Sequence, residues 1–239
     1  MTYPKALVER NNIGLPRGGE SDLLRELRER PAWVLSIIGA GGSGKTDKSF
    51  FILDEWFPDE EVYLLNYPPS VIAKFPPVLR RRSHSFSGFS EIAGKKGIVF
   101  FDDVALHFLS RSSGASGNKE LVRMLTIARH NDWRFIITSQ NSILNDKGMF
   151  EALDQFSLRC RMTLTQTFTE REEFQDLQLS VNHLIESRAG THYTQTRPYA
   201  YCAETGELFK FPRWQHMTET ISKPYKGAYL DEDSNIVLG

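Results

Sequence analysis

The residues whose types and spacing most clearly indicate a chemical function lie in a glycine-rich run. The segment GAGGSGKT, from Gly39 to Thr46, fits the pattern G-x-x-x-x-G-K-[ST] at every specified position. Glycines permit positive φ and close backbone approach, so successive N–H groups can surround phosphate oxygens. In this pattern Lys45 reaches the β- and γ-phosphates of ATP, and the Thr46 hydroxyl is placed to ligate Mg²⁺. The residues that we expect to bind the nucleotide are Gly39, Ala40, Gly41, Gly42, Ser43, Gly44, Lys45 and Thr46.

Two acidic residues follow an apolar run later in the chain. The run Ile98–Phe101 (IVFF) reads as a buried strand, and Asp102 and Asp103 come directly after it. We expect Asp102, at the carboxyl end of the strand, to hold Mg²⁺ through water, because Mg²⁺ retains several waters and takes few protein oxygens. Asp103 is one residue further and faces elsewhere, so it is placed to orient or deprotonate an attacking water.

A neutral amide follows another apolar run. Phe135–Thr138 (FIIT) reads as a strand, and Gln140 lies just beyond its end. In an open parallel sheet, ligands bind at the carboxyl ends of the strands. An amide both donates and accepts hydrogen bonds. We therefore predict that Gln140 contacts the γ-phosphate or the attacking water.

The elements that must position these residues alternate along the chain. A length of 239 residues favours one large domain, or one domain with an appendage. Short apolar runs that alternate with amphipathic stretches predict an α/β fold with a mostly parallel sheet flanked by helices. The predicted strands are Trp33–Ile38, Val62–Leu65, Ile98–Phe101, Phe135–Thr138 and Phe156–Leu164, and the predicted helices of this part are Gly44–Trp56 and Lys119–Arg129.

The sequence divides into three parts. Residues 1–30 form a lead-in segment with a helix at Ser21–Arg30, for which Ser21 is the N-cap. Residues 31–165 form the core. Residues 166–239 form a C-terminal elaboration, with a helix at Thr169–Arg188, a hairpin at Pro198–Phe211 and an acidic tail at Tyr229–Gly239.

Composition excludes several classes of protein. The 29 Lys and Arg residues and 30 Asp and Glu residues give a formal net charge of −1, which excludes a globally basic nucleic-acid-binding coat. The two cysteines form no CxxC pair, so a structural zinc site is not expected. The first residues do not have the pattern of a signal peptide, and the apolar runs are too short to span a bilayer. We expect a soluble, intracellular protein.

One combination of motifs resembles a known superfamily. A helix that ends in Ala128-Arg129-His130 is followed by the strand WRFIITSQ, residues 133–140. Together with the phosphate loop (Walker A) and the double acid (Walker B), this arrangement resembles the FtsK–HerA superfamily of DNA-pumping ATPases. It is most similar to viral genome-packaging ATPases of internal-membrane icosahedral viruses. The resemblance covers Trp33 to Leu164 and implies a RecA-like P-loop NTPase core.

The resemblance also implies partners. The chain would form a homo-oligomeric ring of five or six subunits around double-stranded DNA, and a capsid vertex or viral membrane proteins would be further partners, in the host cytoplasm and the virion. An arginine of one subunit would reach the γ-phosphate bound by its neighbour. Arg129 is the first candidate for this arginine finger by its position in the motif, with Arg123 and Arg111 as alternatives. Many relatives have Glu where this chain has Asp103.

Two further segments read as loops, and the sequence does not decide their roles. Residues 74–96 contain six Lys and Arg against one Glu, a local charge of +5. They read either as a partly disordered loop that faces DNA phosphates or as a solvated surface loop. Ser110–Asn118 (SRSSGASGN) reads as a mobile loop that lines the pore of a ring.

Two other functions are compatible with a phosphate loop. A nucleotide kinase would use Arg80–Arg82 as an arginine-rich lid and would phosphorylate a small molecule without DNA. A nucleotide-binding switch or assembly module would bind ATP tightly with little turnover. The polar strand end at Gln140 counts against the kinase.

Overall fold

The fold is built on one eight-stranded sheet. The computed structural model describes residues 21–103, 132–140, 155–170, 172–224, 229–230 and 236–237. The sheet order is β3-β2-β4-β5-β1-β6-β7-β8, and β9 and β10 form a separate antiparallel pair. The strands are β1 (Trp33–Ile38), β2 (Val62–Leu65), β3 (Ser83–Phe86), β4 (Gly97–Phe101), β5 (Trp133–Ser139), β6 (Gln155–Arg159), β7 (Tyr199–Cys202), β8 (Glu207–Lys210), β9 (Tyr229–Leu230) and β10 (Ile236–Val237).

The helices pack around this sheet. They are α1 (Asp22–Glu29), α2 (Lys45–Phe51), α3 (Pro69–Ile72), α4 (Pro77–Arg81), α5 (Leu164–Phe168), α6 (Glu172–Ala189), α7 (Tyr193–Thr196) and α8 (Glu219–Ser222). A π-helical turn at Ile52–Trp56 continues α2, and a 3₁₀ turn spans Phe89–Glu91. The predicted α/β class, with a mostly parallel sheet flanked by helices, is confirmed.

Strand β1 occupies an inner position because both of its faces are apolar. All six of its residues are buried, as an inner strand of a parallel sheet requires. It pairs in parallel with β5 on one side and with β6 on the other, so that Ile38 is opposite both Ser139 and Arg159. The carboxyl ends of these three strands therefore meet at one edge of the sheet.

Alternate residues of the strands feed two separate cores. On one face, Leu35, Ile37, Phe100 and Ile136 pack with α1 and α2. On the other face, Val34, Val99, Phe101, Phe135 and Ile137 form a second cluster. The alternation follows from the two-residue period of a β-strand, which turns successive side chains to opposite faces.

The C-terminal part continues the same sheet. Strands β7 and β8 are antiparallel to their neighbours and form the predicted hairpin within Pro198–Phe211. The indole of Trp214 stacks on Phe50 of α2 at 5.1 Å, and its Nε1 donates to the Asp54 carboxylate at 3.0 Å. Aromatic packing thus joins this part of the chain to the helix that follows the phosphate loop. The boundaries 1–30, 31–165 and 166–239 stay a prediction.

Several predicted elements have different bounds in the structure. Strand β6 ends at Arg159 rather than Leu164, because Thr163 caps the start of α5 with a side-chain hydrogen bond to the Gln166 N–H. The α-helical part of the predicted helix Gly44–Trp56 ends at Phe51. The helix predicted at Thr169–Arg188 is observed as Glu172–Ala189.

The basic segment 74–96 is folded, which corrects its interpretation as a disordered loop. It contains α4, the 3₁₀ turn and β3, an edge strand of the sheet. Arg82 is buried and donates to the carbonyl oxygens of Leu53, Phe57 and Glu60 at 2.6–3.1 Å. This arginine therefore stabilises the fold instead of facing DNA. The predicted helix Lys119–Arg129 and the loop Ser110–Asn118 lie outside the described residues.

In the described part of the chain, no helix has both the length and the apolar character that a membrane span requires.

Candidate functional site

The phosphate loop lies at the carboxyl end of β1, where the strands' ends meet. The Gly39 N–H donates to the Ser139 carbonyl at 3.1 Å, which ties the start of the loop to β5. Gly42 and Gly44 have φ values of 78° and 79°, a left-handed conformation that L side chains rarely adopt. Lys45 then begins α2. The loop thus leads from a buried strand into a helix, the context that a phosphate-binding motif requires.

Lys45 folds back over its own loop. Its Nζ donates to the carbonyl oxygens of Gly39 at 2.9 Å and Ala40 at 3.0 Å. Burial lowers the pKa of Lys45 below its usual value, and interactions with Cys160, Asp103 and Asp102 oppose that shift. The ammonium group therefore lies within electrostatic reach of both predicted acids.

Asp102 lies directly beside Thr46. The Thr46 hydroxyl donates to Asp102 Oδ1 at 3.0 Å and is 3.3 Å from Oδ2. Asp102 is only 5% exposed, and its burial raises the pKa of the carboxyl group to about 6, against hydrogen bonds from Thr138 and Thr46 that lower it. The structure thus brings together the two residues that the sequence predicts as metal ligands.

Thr138 is a member of the site that the sequence analysis did not single out. Its hydroxyl donates to Asp102 Oδ1 at 2.9 Å and accepts from the Asp103 N–H at 2.6 Å. Strands β4 and β5 are paired in parallel, with Phe101 opposite Ile137, so the residues that follow these two meet side by side. The signal was present in the sequence as a hydroxyl residue at the carboxyl end of an apolar strand.

Asp103 and Gln140 are brought together at the same edge. The Asp103 backbone has a φ of 50°, and Gln140 Nε2 donates to Asp103 Oδ2 at 3.4 Å. The other carboxylate oxygen, Oδ1, is buried and has no hydrogen-bond partner among the described residues. The roles predicted for Asp103 and Gln140 stay a prediction.

The outward face of the loop is held by residues from two other elements. Lys48 of α2 is buried and donates to the Ser43 carbonyl at 2.8 Å and to the Arg197 carbonyl at 2.7 Å. Tyr193 Oη donates to the Gly42 carbonyl at 2.7 Å. No sequence pattern indicates either contact, because Tyr193 and Arg197 are about 150 residues from the loop and belong to no motif.

The residues present fit a nucleotide with Mg²⁺. The Ser43 hydroxyl, inside the loop, is buried and has no partner among the described residues, so it can accept a new hydrogen bond. The Thr46 hydroxyl and the Asp102 carboxylate supply the hard oxygen atoms that Mg²⁺ prefers. Gly39 leaves no space for a side chain, since an added Cβ would come 2.6 Å from the Cys160 Cβ.

The structure does not describe the predicted arginine finger. Arg129 and its alternatives Arg111 and Arg123 lie outside the residues that the structure describes. The assignment of a trans-acting arginine therefore stays a prediction.

Comparisons with known proteins place the chain by its fold. No protein-family model matches the sequence, and no curated protein matches it. Among solved structures, the conjugation coupling protein TcpA of pCW3, in its monomer form with ATPγS, is similar with a TM-score of 0.50 and 10% identity. That match covers 82% of this chain and 64% of TcpA.

Two further structures are similar at lower scores. EccC of Thermomonospora curvata (ATPases 2 and 3) has a TM-score of 0.49 and 10% identity over 80% of this chain and 40% of its own. B204, the DNA-packaging ATPase of Sulfolobus Turreted Icosahedral Virus, has a TM-score of 0.46 and 11% identity over 75% of this chain and 98% of its own.

All three matches are distant, and the match to TcpA shows the fold alone. This chain spans about two fifths of the EccC chain and just under two thirds of the TcpA chain. The chain therefore has the fold of the P-loop ATPases, which confirms the fold that the resemblance to the FtsK–HerA superfamily predicts.

Proposed function

We propose that this protein hydrolyses ATP and uses the reaction to translocate double-stranded DNA. The observation that carries the hydrolytic part is the contact between Thr46 Oγ1 and the buried Asp102 carboxylate, with Lys45 beside them. This pair couples the end of a phosphate loop to a strand-end acid, the arrangement that holds Mg²⁺ against the β- and γ-phosphates in P-loop enzymes.

The chain's own residues divide the chemistry between them. Loop N–H groups and the N-terminal end of α2 bind the phosphates, and Lys45 exchanges its loop carbonyls for β- and γ-phosphate oxygens. Thr46 and Asp102 would hold Mg²⁺, which supplies neutralisation of phosphate charge when bound.

Asp103 and Gln140 act on the attacking water. The Asp103 carboxylate accepts a proton from this water while the water oxygen bonds to the γ-phosphorus and the bond to ADP breaks. Gln140 holds the water and Asp103 in place through its amide. The Thr138 hydroxyl donates to Asp102 Oδ1 and accepts from the Asp103 N–H. These two hydrogen bonds hold the two acids in different orientations.

The DNA-translocating part rests on the resemblance of the Arg129-His130 and TSQ motifs to the FtsK–HerA type. The similar structures are consistent with it, since TcpA is a conjugation coupling protein with ATPγS bound. We infer a homo-oligomeric ring of five or six subunits, with Arg129 acting on the neighbouring subunit's nucleotide and with viral genome packaging into a capsid as the specific task.

Hydrolysis measured with and without long duplex DNA tests this function. We expect the wild-type rate in Mg²⁺ to rise severalfold when linear duplex DNA is added, and Lys45→Ala to show no hydrolysis in either condition. Sedimentation in the presence of ATPγS should show a pentamer or hexamer. A rate indifferent to DNA would contradict the translocase, and phosphorylation of a nucleoside without DNA would favour the kinase.

A further inference from the structure

The segment before β7 lies beside the phosphate loop as a consequence of strand direction. Strand β7 is antiparallel to β6, with Tyr201 opposite Arg159 and Cys202 opposite Leu158. The start of β7 is therefore at the edge where the parallel strands end. Helix α7 and Arg197, which immediately precede β7, are brought to this edge by the fold.

This segment is fastened to the loop at two points. The Tyr193 hydroxyl donates to the Gly42 carbonyl at 2.7 Å, and the Lys48 ammonium bridges the carbonyls of Ser43 and Arg197. The Tyr193 residue is nevertheless 47% exposed. A large aromatic side chain is thus held in a fixed position against the loop while much of its surface faces solvent.

The sheet order sets the direction in which a bound nucleotide runs. Asp102, Asp103 and Gln140 follow β4 and β5, which lie on one side of β1. The γ-phosphate end of the ligand belongs on that side, because the metal-binding and water-binding groups are there. The nucleoside end then extends towards the opposite side of β1, where β6 and β7 lie and where Tyr193 is exposed.

Positive charge collects at the same place. The side chain of Arg197 passes close to Gly44, where an added Cβ would be 3.2 Å from Arg197 Cγ and Nε. Lys45, Lys48 and Arg197 all surround the N-terminal end of α2, which is itself the positive end of the helix dipole. The Asp47 carboxylate interacts electrostatically with Arg197. In the described part of the chain, however, no carboxylate lies within ion-pair distance of the Arg197 guanidinium. Arg197 is exposed, so its guanidinium is accessible to an anionic group of a ligand bound at the loop.

We propose that Tyr193 and Arg197 form the nucleoside end of the ATP site, with the Tyr193 ring stacked on the base and the Arg197 guanidinium paired with the α-phosphate. This inference rests on the proposed function, because it assumes that the loop binds a nucleoside triphosphate. It gives the C-terminal part of the chain a direct role in ligand recognition. Stacking accepts any base, so the site recognises the base by its π-face rather than by its edge.

The preference for ATP over inorganic triphosphate tests the role of Tyr193. Calorimetry in Mg²⁺ would measure the Kd of each ligand for the wild type, Tyr193→Phe and Tyr193→Ala. We expect Tyr193→Ala to weaken ATP binding about tenfold more than triphosphate binding, because stacking on the base is lost in addition to the contact with Gly42. Tyr193→Phe keeps the ring and should keep most of the preference for ATP.

A purely structural role for Tyr193 has a different signature. If the hydroxyl only braces the loop through the Gly42 carbonyl, Tyr193→Phe and Tyr193→Ala will weaken ATP and triphosphate equally. That result would overturn the proposal, and so would wild-type affinities in both variants. If Tyr193→Ala fails to fold, Tyr193→Leu, which is apolar and has no aromatic ring, replaces it in the same comparison.

Two substitutions of Arg197 test its pairing with the α-phosphate. Arg197→Gln should weaken ATP binding about tenfold at low salt, with a smaller effect at high salt, whereas Arg197→Lys should retain most of the affinity. Unchanged binding by Arg197→Gln would remove this residue from the site. A wild type that binds neither ATP nor triphosphate contradicts the proposed function itself, whereas equal binding of both contradicts only the nucleoside end.

Discussion

Thr46 and Asp102 are hydrogen bonded at 3.0 Å although 56 positions separate them in the chain. The contact arises because β1 and β4 flank β5 in a parallel sheet, which brings the loop after β1 and the acid after β4 to one edge. Thr138, from the strand between them, donates to the same carboxylate oxygen at 2.9 Å. Residues at three neighbouring strand ends thus meet at the buried carboxyl group of Asp102, which lies at the centre of the site.

Replacement of Asp102 by Asn should stabilise the ligand-free protein at neutral pH. The pKa of Asp102 is about 6 in the folded chain against a usual 3.8, so the folded state binds more protons than the unfolded state between these values. Its contribution to stability therefore falls as the pH rises from 4 to 6 and stays low above 6. We expect Asp102→Asn to raise the free energy of unfolding at pH 7 by about 2 kcal/mol.

Urea denaturation without nucleotide or Mg²⁺ measures this difference. The gap between the wild type and Asp102→Asn should shrink to nearly zero at pH 4, where both side chains are neutral. The same variant should lose Mg²⁺-dependent ATP binding, because a neutral amide is a poor metal ligand. A variant that is destabilised equally at pH 4 and pH 7 would contradict the raised pKa of Asp102.

Asp103→Asn should separate hydrolysis from binding. Asn tolerates the left-handed backbone at φ 50° and keeps the side chain's shape, but it cannot take a proton from water. We expect the single-turnover rate of ATP hydrolysis to fall by about a hundredfold or more, while the Kd for ATP stays within a few fold.

Two companion variants define the geometry around Asp103. Gln140→Ala should lower the same rate by a smaller factor, since it removes the amide that holds Asp103 Oδ2 at 3.4 Å. Asp103→Glu should keep part of the activity, because the carboxylate is retained at a longer reach. Normal hydrolysis by Asp103→Asn would remove this residue from the role of general base.

Trp214→Ala should destabilise the whole chain in one transition. The indole is buried, stacks on Phe50 and donates to Asp54, so its loss leaves a cavity and removes a hydrogen bond from the Asp54 carboxylate. We expect the free energy of unfolding to fall by about 3–5 kcal/mol. Trp214→Phe, which keeps an aromatic ring, should cost roughly 1–2 kcal/mol.

Urea denaturation followed by both circular dichroism and the remaining tryptophans' fluorescence would check this. The two signals should coincide in the variant as in the wild type, because β7 and β8 share one sheet with the core. Unaltered stability of Trp214→Ala would contradict the packing described here.

The inner strands were predictable because burial on both faces leaves a continuous apolar run. Trp33–Ile38 and Val62–Leu65 are observed at their predicted bounds, and Ile98–Phe101 extends by one residue to Gly97. The edge strand Ser83–Phe86 was not predictable in this way. Its polar residues His84 and Ser85 face outward, and the basic residues before it suggested a loop.

The residues of the site likewise fall into those that local motifs predict and those that only the topology brings together. Lys45, Thr46, Asp102 and Gln140 were predictable because their spacing within local motifs is itself the signal. Tyr193 was not, because its contact with Gly42 depends on the antiparallel direction of β7 and joins residues 151 positions apart. Single residues that reach a site through the topology carry no local pattern.

The most direct test of the account is Mg²⁺-dependent ATP hydrolysis by the wild type and Lys45→Ala, measured side by side with their melting temperatures. The Lys45 ammonium group is bonded to its own loop carbonyls at 2.9 and 3.0 Å and is free to move to phosphate oxygens when ATP binds. We predict Lys45-dependent hydrolysis in the wild type and none in the variant, with the fold of the variant intact. Equal hydrolysis by the two proteins would contradict the assignment of the site.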